Sequence, residues 1–152
     1  MKAQTYSQIQ FHLVFSVKYR RPLLKPEWRN ELFAYMAGII DRKGHKSYLV
    51  NGVGDHVHVL FSTTPNVNLS HLVRDLKTSS SIFINERKYL NKRFAWQNGY
   101  SIFAFGHKDL NNLYSYVHNQ EQHHKNISFE DEYKLTLTNE HVRYDERFLF
   151  DS

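Results

Sequence analysis

The segment 53–62, VGDHVHVLFS, alternates between apolar and polar side chains, and this alternation constrains the fold more than any other feature of the chain. Successive side chains of an extended strand point to opposite faces, so Val57, Val59 and Phe61 share one face. His56 and His58 share the other. Residues 8–18 alternate in the same way, with an apolar side of Ile9, Phe11, Leu13, Phe15 and Val17 and a mostly polar side of Gln8, Gln10, His12, Val14, Ser16 and Lys18. The two segments predict strands of a sheet with one buried face.

The order of the predicted elements narrows the fold class. Helical spacing of apolar residues predicts helices within 27–44, from a cap at Asn68 onward, and over 109–126. Strands are predicted at 45–63, as a hairpin that turns at NGVGD, and within 96–105. The order β-α-β-β-α-β-α predicts an α+β protein with a ferredoxin-like, or RRM-like, antiparallel four-stranded sheet, two helices on one face and a further C-terminal helix. The other sheet face is left open, to carry function or to be covered.

Length and composition predict one folded domain. The chain has 152 residues, of which 41% are hydrophobic and 15% aromatic, as is typical of a globular protein. No apolar run approaches the roughly 18 residues of a membrane-spanning helix, and no secretion signal precedes the first strand. The absence of cysteine excludes disulfides, thiolate nucleophiles and cysteine-type zinc sites. These features predict a cytoplasmic protein without membrane association.

Charge is divided unevenly along the chain. The net charge is +5, but residues 127–152 hold seven acidic and three basic side chains, a net charge of −4. Residues 1–126 therefore carry +9. We interpret residues 1–126 as the functional domain and residues 127–152 as an acidic C-terminal tail, whose turn and strand tendencies give it no predicted place in the sheet. The basic body predicts a polyanionic partner.

His56 and His58 are candidate metal ligands. Their Cα atoms should lie about 6.6–7 Å apart on one face of the strand, a separation from which two imidazoles can reach one ion. In a ferredoxin-like sheet the first and third strands are neighbours, which places Gln10 and His12 beside the pair. The motif lacks the further ligands of a closed zinc site, so a third ligand must come from elsewhere. The alternative is that both histidines are half-exposed strand residues without a ligand.

The last predicted helix carries polar side chains that would complete a site. Tyr116, Gln120 and either His123 or His124 follow at helical spacing and share one side of the helix. Alone, such a stripe is typical of a solvated helix face. Together with the histidine pair it predicts a specific chemistry, in which a metal on the histidines and an oxygen ligand polarises a phosphate while a tyrosine hydroxyl attacks it.

Five motifs follow one another in a fixed order: HLVFSVKYRRPLL, GDHVHVLF, LVRDLKTSSS, WQNGYSIFAFG and YSYVHNQEQHH. In this order and spacing, over most of residues 6–126, the chain resembles the single-tyrosine HUH transposases. These are enzymes of very small bacterial insertion sequences that move as single-stranded DNA, and their superfamily includes the REP-associated tyrosine transposases. HUH stands for histidine, hydrophobic residue, histidine, which is His56-Val57-His58 here. Residues 127–152 lie outside the resemblance.

The resemblance implies a role for each matching residue. Tyr116 is the expected nucleophile, and His56, His58 and Gln120 are the expected ligands of Mg²⁺ or Mn²⁺. The implied reaction links the tyrosine to a 5′-phosphate of single-stranded DNA near a hairpin and releases a 3′-hydroxyl, so that strands are rejoined without ATP. The implied assembly is a homodimer with shared active sites, although the same residues would serve a site within one chain.

Basic residues in two places are candidate contacts to DNA phosphates. Lys18, Arg20 and Arg21 follow the first predicted strand, whereas Arg74 and Lys77 lie on the second predicted helix. For each of them the alternative is an ordinary solvated basic surface.

Three other functions stay open on the sequence. A non-mobile relative could keep the chemistry and act on repeated palindromes in a genome. A non-catalytic module could bind nucleic acid on an RRM-like sheet face, although the RRM aromatic motif is absent. A metal hydrolase unrelated to DNA would leave the basic body and Tyr116 without a role.

Overall fold

A computed structural model of the protein describes residues 4–145 and Leu149. The strands are β1 (Ile9–Ser16), β2 (Lys46–Gly52), β3 (His56–Thr63) and β4 (Ser101–Phe105). They form one antiparallel sheet in the order β2-β3-β1-β4. The α-helices of the described residues are α1 (Arg29–Arg42), α2 (Leu69–Arg87), α3 (Leu110–His118), α4 (Gln120–His123) and α5 (Phe129–Asn139). The predicted α+β, ferredoxin-like architecture is confirmed.

Helices α1 and α2 cover one face of the sheet and enclose the main core. That core joins the apolar sides of β1 and β3 to both helices, and its members include Leu13, Phe15, Val57, Val59, Phe61, Leu32, Met36, Leu72 and Leu76. The predicted cap of α2 is also present, since the Asn68 side chain accepts a hydrogen bond from the backbone N–H of His71 at 3.2 Å. Within the described residues, no helix is both long and apolar enough to cross a bilayer.

The predicted helix over 109–126 is broken at Asn119, which separates α3 from α4. The cause lies on a neighbouring strand. The Asn51 side chain on β2 donates hydrogen bonds to the backbone carbonyls of Val117, at 2.9 Å, and His118, at 3.1 Å. These carbonyls are thereby satisfied at the end of α3 without the next helical turn. Residues 120–123 therefore form a separate short helix, α4.

The second face of the sheet, which the sequence left open, is covered by α5. The turn and strand tendencies read after Ile127 are wrong for 129–139, which are helical. Ser128 caps this helix by accepting a hydrogen bond from the backbone N–H of Asp131 at 3.2 Å. Phe129, Tyr133 and Leu137 pack against Val14 of β1 as a small second core. The acidic segment therefore has a structured part that lies on the histidine-bearing face of the sheet.

Candidate functional site

His56 and His58 lie on β3 and point away from the main core, as the alternation predicts. They are not half-exposed strand residues, because only 0% and 2% of their surfaces are accessible. Each ring is oriented by a hydrogen bond at its Nδ1 atom, and we call the residue that makes this bond the outer partner. His56 Nδ1 lies 2.7 Å from Asp55 Oδ1, and His58 Nδ1 lies 2.8 Å from His12 Nε2. Both Nε2 atoms are consequently left to face one point beneath α4 and α5. Outer partners of this kind hold metal-binding histidines in position.

Burial sets the charge state of the histidines in the sheet. It lowers the pKa of His12 to about 3 and the pKa of His58 to about 4, and the proximity of the two rings adds to the shift in His12. Both imidazoles are therefore neutral near pH 7. Neutral imidazole is the form that binds metal ions, because a ring nitrogen then offers a lone pair.

Gln120, the first residue of α4, meets the histidine pair. Its side chain is fully buried, and its Oε1 atom lies 2.9 Å from His56 Nε2. The predicted neighbourhood of His56, His58 and Gln120 is thus present in the structure. The break at Asn119 does not remove Gln120 from the site, because α4 packs next to β2 and the Gln120 side chain reaches His56 on β3.

Tyr116 on α3 lies beside the same cluster. Its ring meets that of His58 edge-on, with 5.9 Å between the centroids, and its hydroxyl donates a hydrogen bond to Glu132 Oε2. Burial raises the pKa of Tyr116 far above its usual value, and the Glu132 carboxylate raises it further. In this state the hydroxyl is protonated, and Glu132 accepts its hydrogen bond.

Glu132 on α5 is the site residue that the sequence reading missed. It is only 4% exposed, and its Oε1 atom lies 3.2 Å from His58 Nε2 and 3.6 Å from His56 Nε2. Burial opposes its charge, but polar contacts with His124 and His58 outweigh that effect and hold the pKa of the carboxyl well below its usual range. The Glu132 side chain is accordingly an anion between the histidine pair and the tyrosine.

His123 and His124 also face Glu132, which extends the polar cluster along α4. Their Nε2 atoms lie 3.0 and 3.1 Å from Glu132 Oε2. Burial would lower the pKa of His124, but the Glu132 carboxylate raises it above its usual value. Of the alternatives left open by the helical stripe, His123 lies beside the tyrosine, with 5.1 Å between the ring centroids, and His124 joins the cluster through Glu132.

The cluster has the dimensions of a divalent metal site. Ligand atoms of His56, His58 and Glu132 all lie within 4.8 Å of one another, as do those of His123, His124 and Glu132. Adjacent ligands of an octahedral ion with metal–oxygen distances of about 2.1 Å lie about 3 Å apart. The separations of 2.9, 3.2 and 3.6 Å around the histidine pair are close to that value. The donor atoms therefore fit a divalent ion.

The predicted DNA contacts Lys18, Arg20 and Arg21 form a tight turn next to the site. Tyr19 and Arg20 have φ angles of +61° and +55°, an unusual conformation for side-chain-bearing residues. Lys18 Nζ lies 5.5 Å and Arg21 Cζ 5.2 Å from the centroid of the Tyr19 ring, which is 43% exposed. The backbone N–H of Val17, just before the turn, donates to the carbonyl of Asp55 at 2.8 Å. The turn is thus tied to the strand that carries the histidines.

The structure does not bring Arg74 and Lys77 to this site, because α2 packs on the opposite face of the sheet. Lys77 Nζ donates hydrogen bonds to the carbonyls of Gln97 and Gly99, at 2.7 and 2.9 Å, which favours a structural role. Arg74 is exposed and lies 3.5 Å from Asp75. DNA binding by these two residues stays a prediction.

Fold and site together define a class of protein: a four-stranded α+β sheet with a buried histidine pair, an amide and a tyrosine on one face. The chain belongs to the IS200-like transposase family, whose model matches residues 5–120. This match confirms the resemblance read from the five motifs, and it makes the protein a transposase by class. The matched region ends before α5 begins.

Relatives of known name agree with this assignment. The chain is 27% identical over 129 residues to the transposase for insertion sequence element IS200 of Salmonella typhimurium, a match covering 81% of this chain and 84% of that protein. It is 26% identical over 118 residues to the ISDra2 transposase TnpA of Deinococcus radiodurans, with 74% and 84% covered.

Two solved structures share the fold. A transposase from Deinococcus radiodurans superposes with a TM-score of 0.63 at 22% identity, covering 79% of this chain and 97% of that one. A REP-associated tyrosine transposase bound to a REP hairpin superposes with a TM-score of 0.59 at 14% identity, covering 82% and 73%.

Proposed function

We propose that this protein cuts and rejoins single-stranded DNA through a covalent bond between Tyr116 and a 5′-phosphate. The observation that carries the proposal is the position of the Tyr116 hydroxyl, which lies in the same buried cluster as His56, His58 and Gln120. A solvated helix face would not produce this arrangement. A non-catalytic RRM-like module would need aromatic side chains on the sheet face, whereas this face carries buried histidines under α5.

The cutting step makes one bond to phosphorus and breaks another. The Tyr116 oxygen forms a bond to phosphorus, the bond from phosphorus to the 3′-oxygen breaks, and that oxygen takes up a proton to become the 3′-hydroxyl. The tyrosine proton is released to water, which also supplies the proton that the 3′-oxygen takes up, while Glu132 Oε2 accepts the hydrogen bond that holds the tyrosine hydroxyl in place. The covalent link keeps a phosphate ester in place of the one that was cut. A 3′-hydroxyl can therefore attack it and rejoin a strand without ATP.

His56, His58 and Gln120 would hold a Mg²⁺ or Mn²⁺ ion. When bound, such an ion supplies Lewis-acid polarisation of a phosphate oxygen. The chain orients its own ligands for this purpose through Asp55 and His12. The outer partners keep the inward-facing nitrogens of both histidines directed at the same point.

The proposed substrate is single-stranded DNA next to a hairpin. The basic body and the turn of Lys18, Arg20 and Arg21 provide charge for the DNA backbone. Tyr19 adds a partly exposed aromatic ring that holds Lys18 and Arg21 close together through cation–π contacts. Two clefts of about 300 and 470 Å³ border the site and reach Tyr116 and His124, respectively.

The proposed assembly is a homodimer. The two chains need not exchange their tyrosines to assemble an active site. Tyr116 lies next to His58 of its own chain. One chain can therefore bring nucleophile and metal ligands together, and we propose that this is one working arrangement of the dimer.

The test of the proposed function uses one labelled DNA sequence in two forms, a hairpin with a single-stranded flank and a full duplex. We expect cleavage confined to the flank, since a duplex keeps the scissile phosphate in a stacked backbone and hinders in-line attack. A denaturing gel measures the products, and a protein gel detects labelled DNA that stays attached to the chain. Equal cleavage of both forms would contradict the single-strand proposal.

The metal ligands are tested by substitution. His56→Ala and His58→Ala should each lose Mn²⁺ binding and DNA cleavage, whereas Gln120→Ala should weaken both less, because a neutral amide oxygen is the weaker ligand. Calorimetry measures Mn²⁺ binding, and circular dichroism checks the fold. His71→Ala is the control, since His71 is exposed on α2. Unchanged Mn²⁺ binding in both sheet-histidine variants would show that the pair is not a metal site.

A further inference from the structure

We infer that Glu132 is a fourth ligand of the metal site and that it holds the Tyr116 hydroxyl with its second oxygen. The inference rests on the proposed function, because it takes the histidine pair to be a metal site. It adds a ligand from outside the family-matched region, which ends at residue 120. In this protein the C-terminal helix is therefore part of the active site.

The two oxygens of Glu132 face different groups. Oε1 lies 3.2 Å from His58 Nε2 and 3.6 Å from His56 Nε2, separations that suit neighbouring ligands of one octahedral ion. Oε2 accepts the hydrogen bond from the Tyr116 hydroxyl. Gln120 lies close to His56 and to Glu132. Its Oε1 atom is 2.9 Å from His56 Nε2, and its Nε2 atom is 3.4 Å from Glu132 Oε2. One carboxylate thus connects the metal ligands to the nucleophile.

Charge provides a reason for this ligand. His56, His58 and Gln120 offer two ring nitrogens and an amide oxygen, whereas Mg²⁺ and Mn²⁺ prefer oxygen ligands and above all carboxylates. Glu132 supplies the negative charge that this set lacks. The Glu132 carboxylate is only 4% exposed and lies next to the histidine pair, so its charge would act on the ion at short range. Glu132 should accordingly contribute more to metal affinity than Gln120.

Packing holds Glu132 in this place. The Phe129 ring, one helical turn before it, stacks on the His56 ring with 4.1 Å between centroids and an interplanar angle of 15°. Tyr133, the next residue along, hydrogen-bonds Ser101 of β4 through its hydroxyl. The carboxylate is consequently fixed from both sides of its position in α5, and such fixation lowers the entropy lost when a ligand binds a metal.

The test compares Mn²⁺ binding by calorimetry in the full chain and in Glu132→Gln, which keeps the shape and removes the charge. We expect the affinity to fall about tenfold or more, since even outer partners of metal ligands contribute about 10–100-fold. Asp131→Asn is the matched control, because it removes one negative charge from the exposed side of the same helix and should leave Mn²⁺ binding unchanged. Glu132→Asp keeps the charge but withdraws the oxygens, and it should also lower the affinity.

The outcomes separate this inference from the proposed function. If His56→Ala and His58→Ala lose Mn²⁺ while both Glu132 variants keep it, the Glu132 assignment is overturned and the proposed function stands. If none of these variants loses Mn²⁺, both are overturned. Faster DNA cleavage by Glu132→Gln would also overturn the assignment, because it would show that the carboxylate occupies the place of a DNA phosphate and blocks the site.

Discussion

Tyr116→Phe should abolish DNA cleavage and the covalent protein–DNA adduct while leaving the fold and the binding of single-stranded DNA in place. The substitution removes only the hydroxyl, which is the attacking atom and which otherwise donates to Glu132. The ring keeps its edge contact with His58. The lost hydrogen bond to a carboxylate should lower the free energy of unfolding by about 1.5–3 kcal/mol. A labelled oligonucleotide followed on denaturing gels measures both the cut and the adduct.

Tyr114→Phe is the matched control on the same helix. Its side chain is 41% exposed and stacks on His118, away from the histidine pair. This variant should cleave at the wild-type rate, so that the pair of variants separates loss of the nucleophile from general damage to α3. An adduct that persists in Tyr116→Phe, or that disappears in Tyr114→Phe, would assign the nucleophile to another residue.

The sheet and its histidine pair could be predicted because their signals are local. A period of two in the sequence decides which side chains of β1 and β3 face the helices, and it places His56 and His58 on the opposite face whatever covers them. The cap at Asn68 is equally local, since the capping side chain and its partner lie three residues apart. Burial of the histidines could not be predicted, because it depends on α5.

The break in the last helix could not be predicted from the helix itself. Residues 109–126 have helical spacing throughout, and the carbonyls at the end of α3 are satisfied by Asn51, which is 66 residues away in the sequence from Val117. The role of Lys77 could not be predicted for the same reason, because its partners are distant in the sequence. It looks like a surface cation in the sequence, but its ammonium group binds two backbone carbonyls of the loop before β4.

The sequence contains local signals for α5. The acidic composition of residues 127–152 nevertheless favoured the interpretation of this segment as a tail. Ser128 followed three residues later by Asp131 is a capping pattern, and Phe129, Tyr133 and Leu137 recur at four-residue intervals. Glu132 gives no such signal. A glutamate in an acidic segment is normally solvated, because burying a carboxylate costs free energy unless partners compensate it. Here the partners come from β3 and α4, which only the folded chain brings together.

Leu137→Ala should lower the free energy of unfolding by about 2–5 kcal/mol, the usual cost of truncating a buried leucine. Leu137 is 4% exposed and packs with Phe129 and Tyr133 against Val14, so its removal leaves a cavity between α5 and the sheet. Chemical denaturation measures the change. Leu135→Ala is the matched control, because Leu135 lies on the same helix but is 54% exposed, and its loss should change stability by less than about 0.5 kcal/mol.

The comparison of these two leucine variants decides whether the acidic segment is an undocked tail or part of the folded core. An undocked tail would tolerate both substitutions equally. Equal stability of the two variants would therefore contradict the docking of α5 on the sheet. Docking predicts a further consequence for Leu137→Ala, since a loosened α5 no longer fixes Glu132 beside His58. If Glu132 is a ligand, the Mn²⁺ affinity of Leu137→Ala should fall together with its stability, whereas that of Leu135→Ala should stay at the wild-type value.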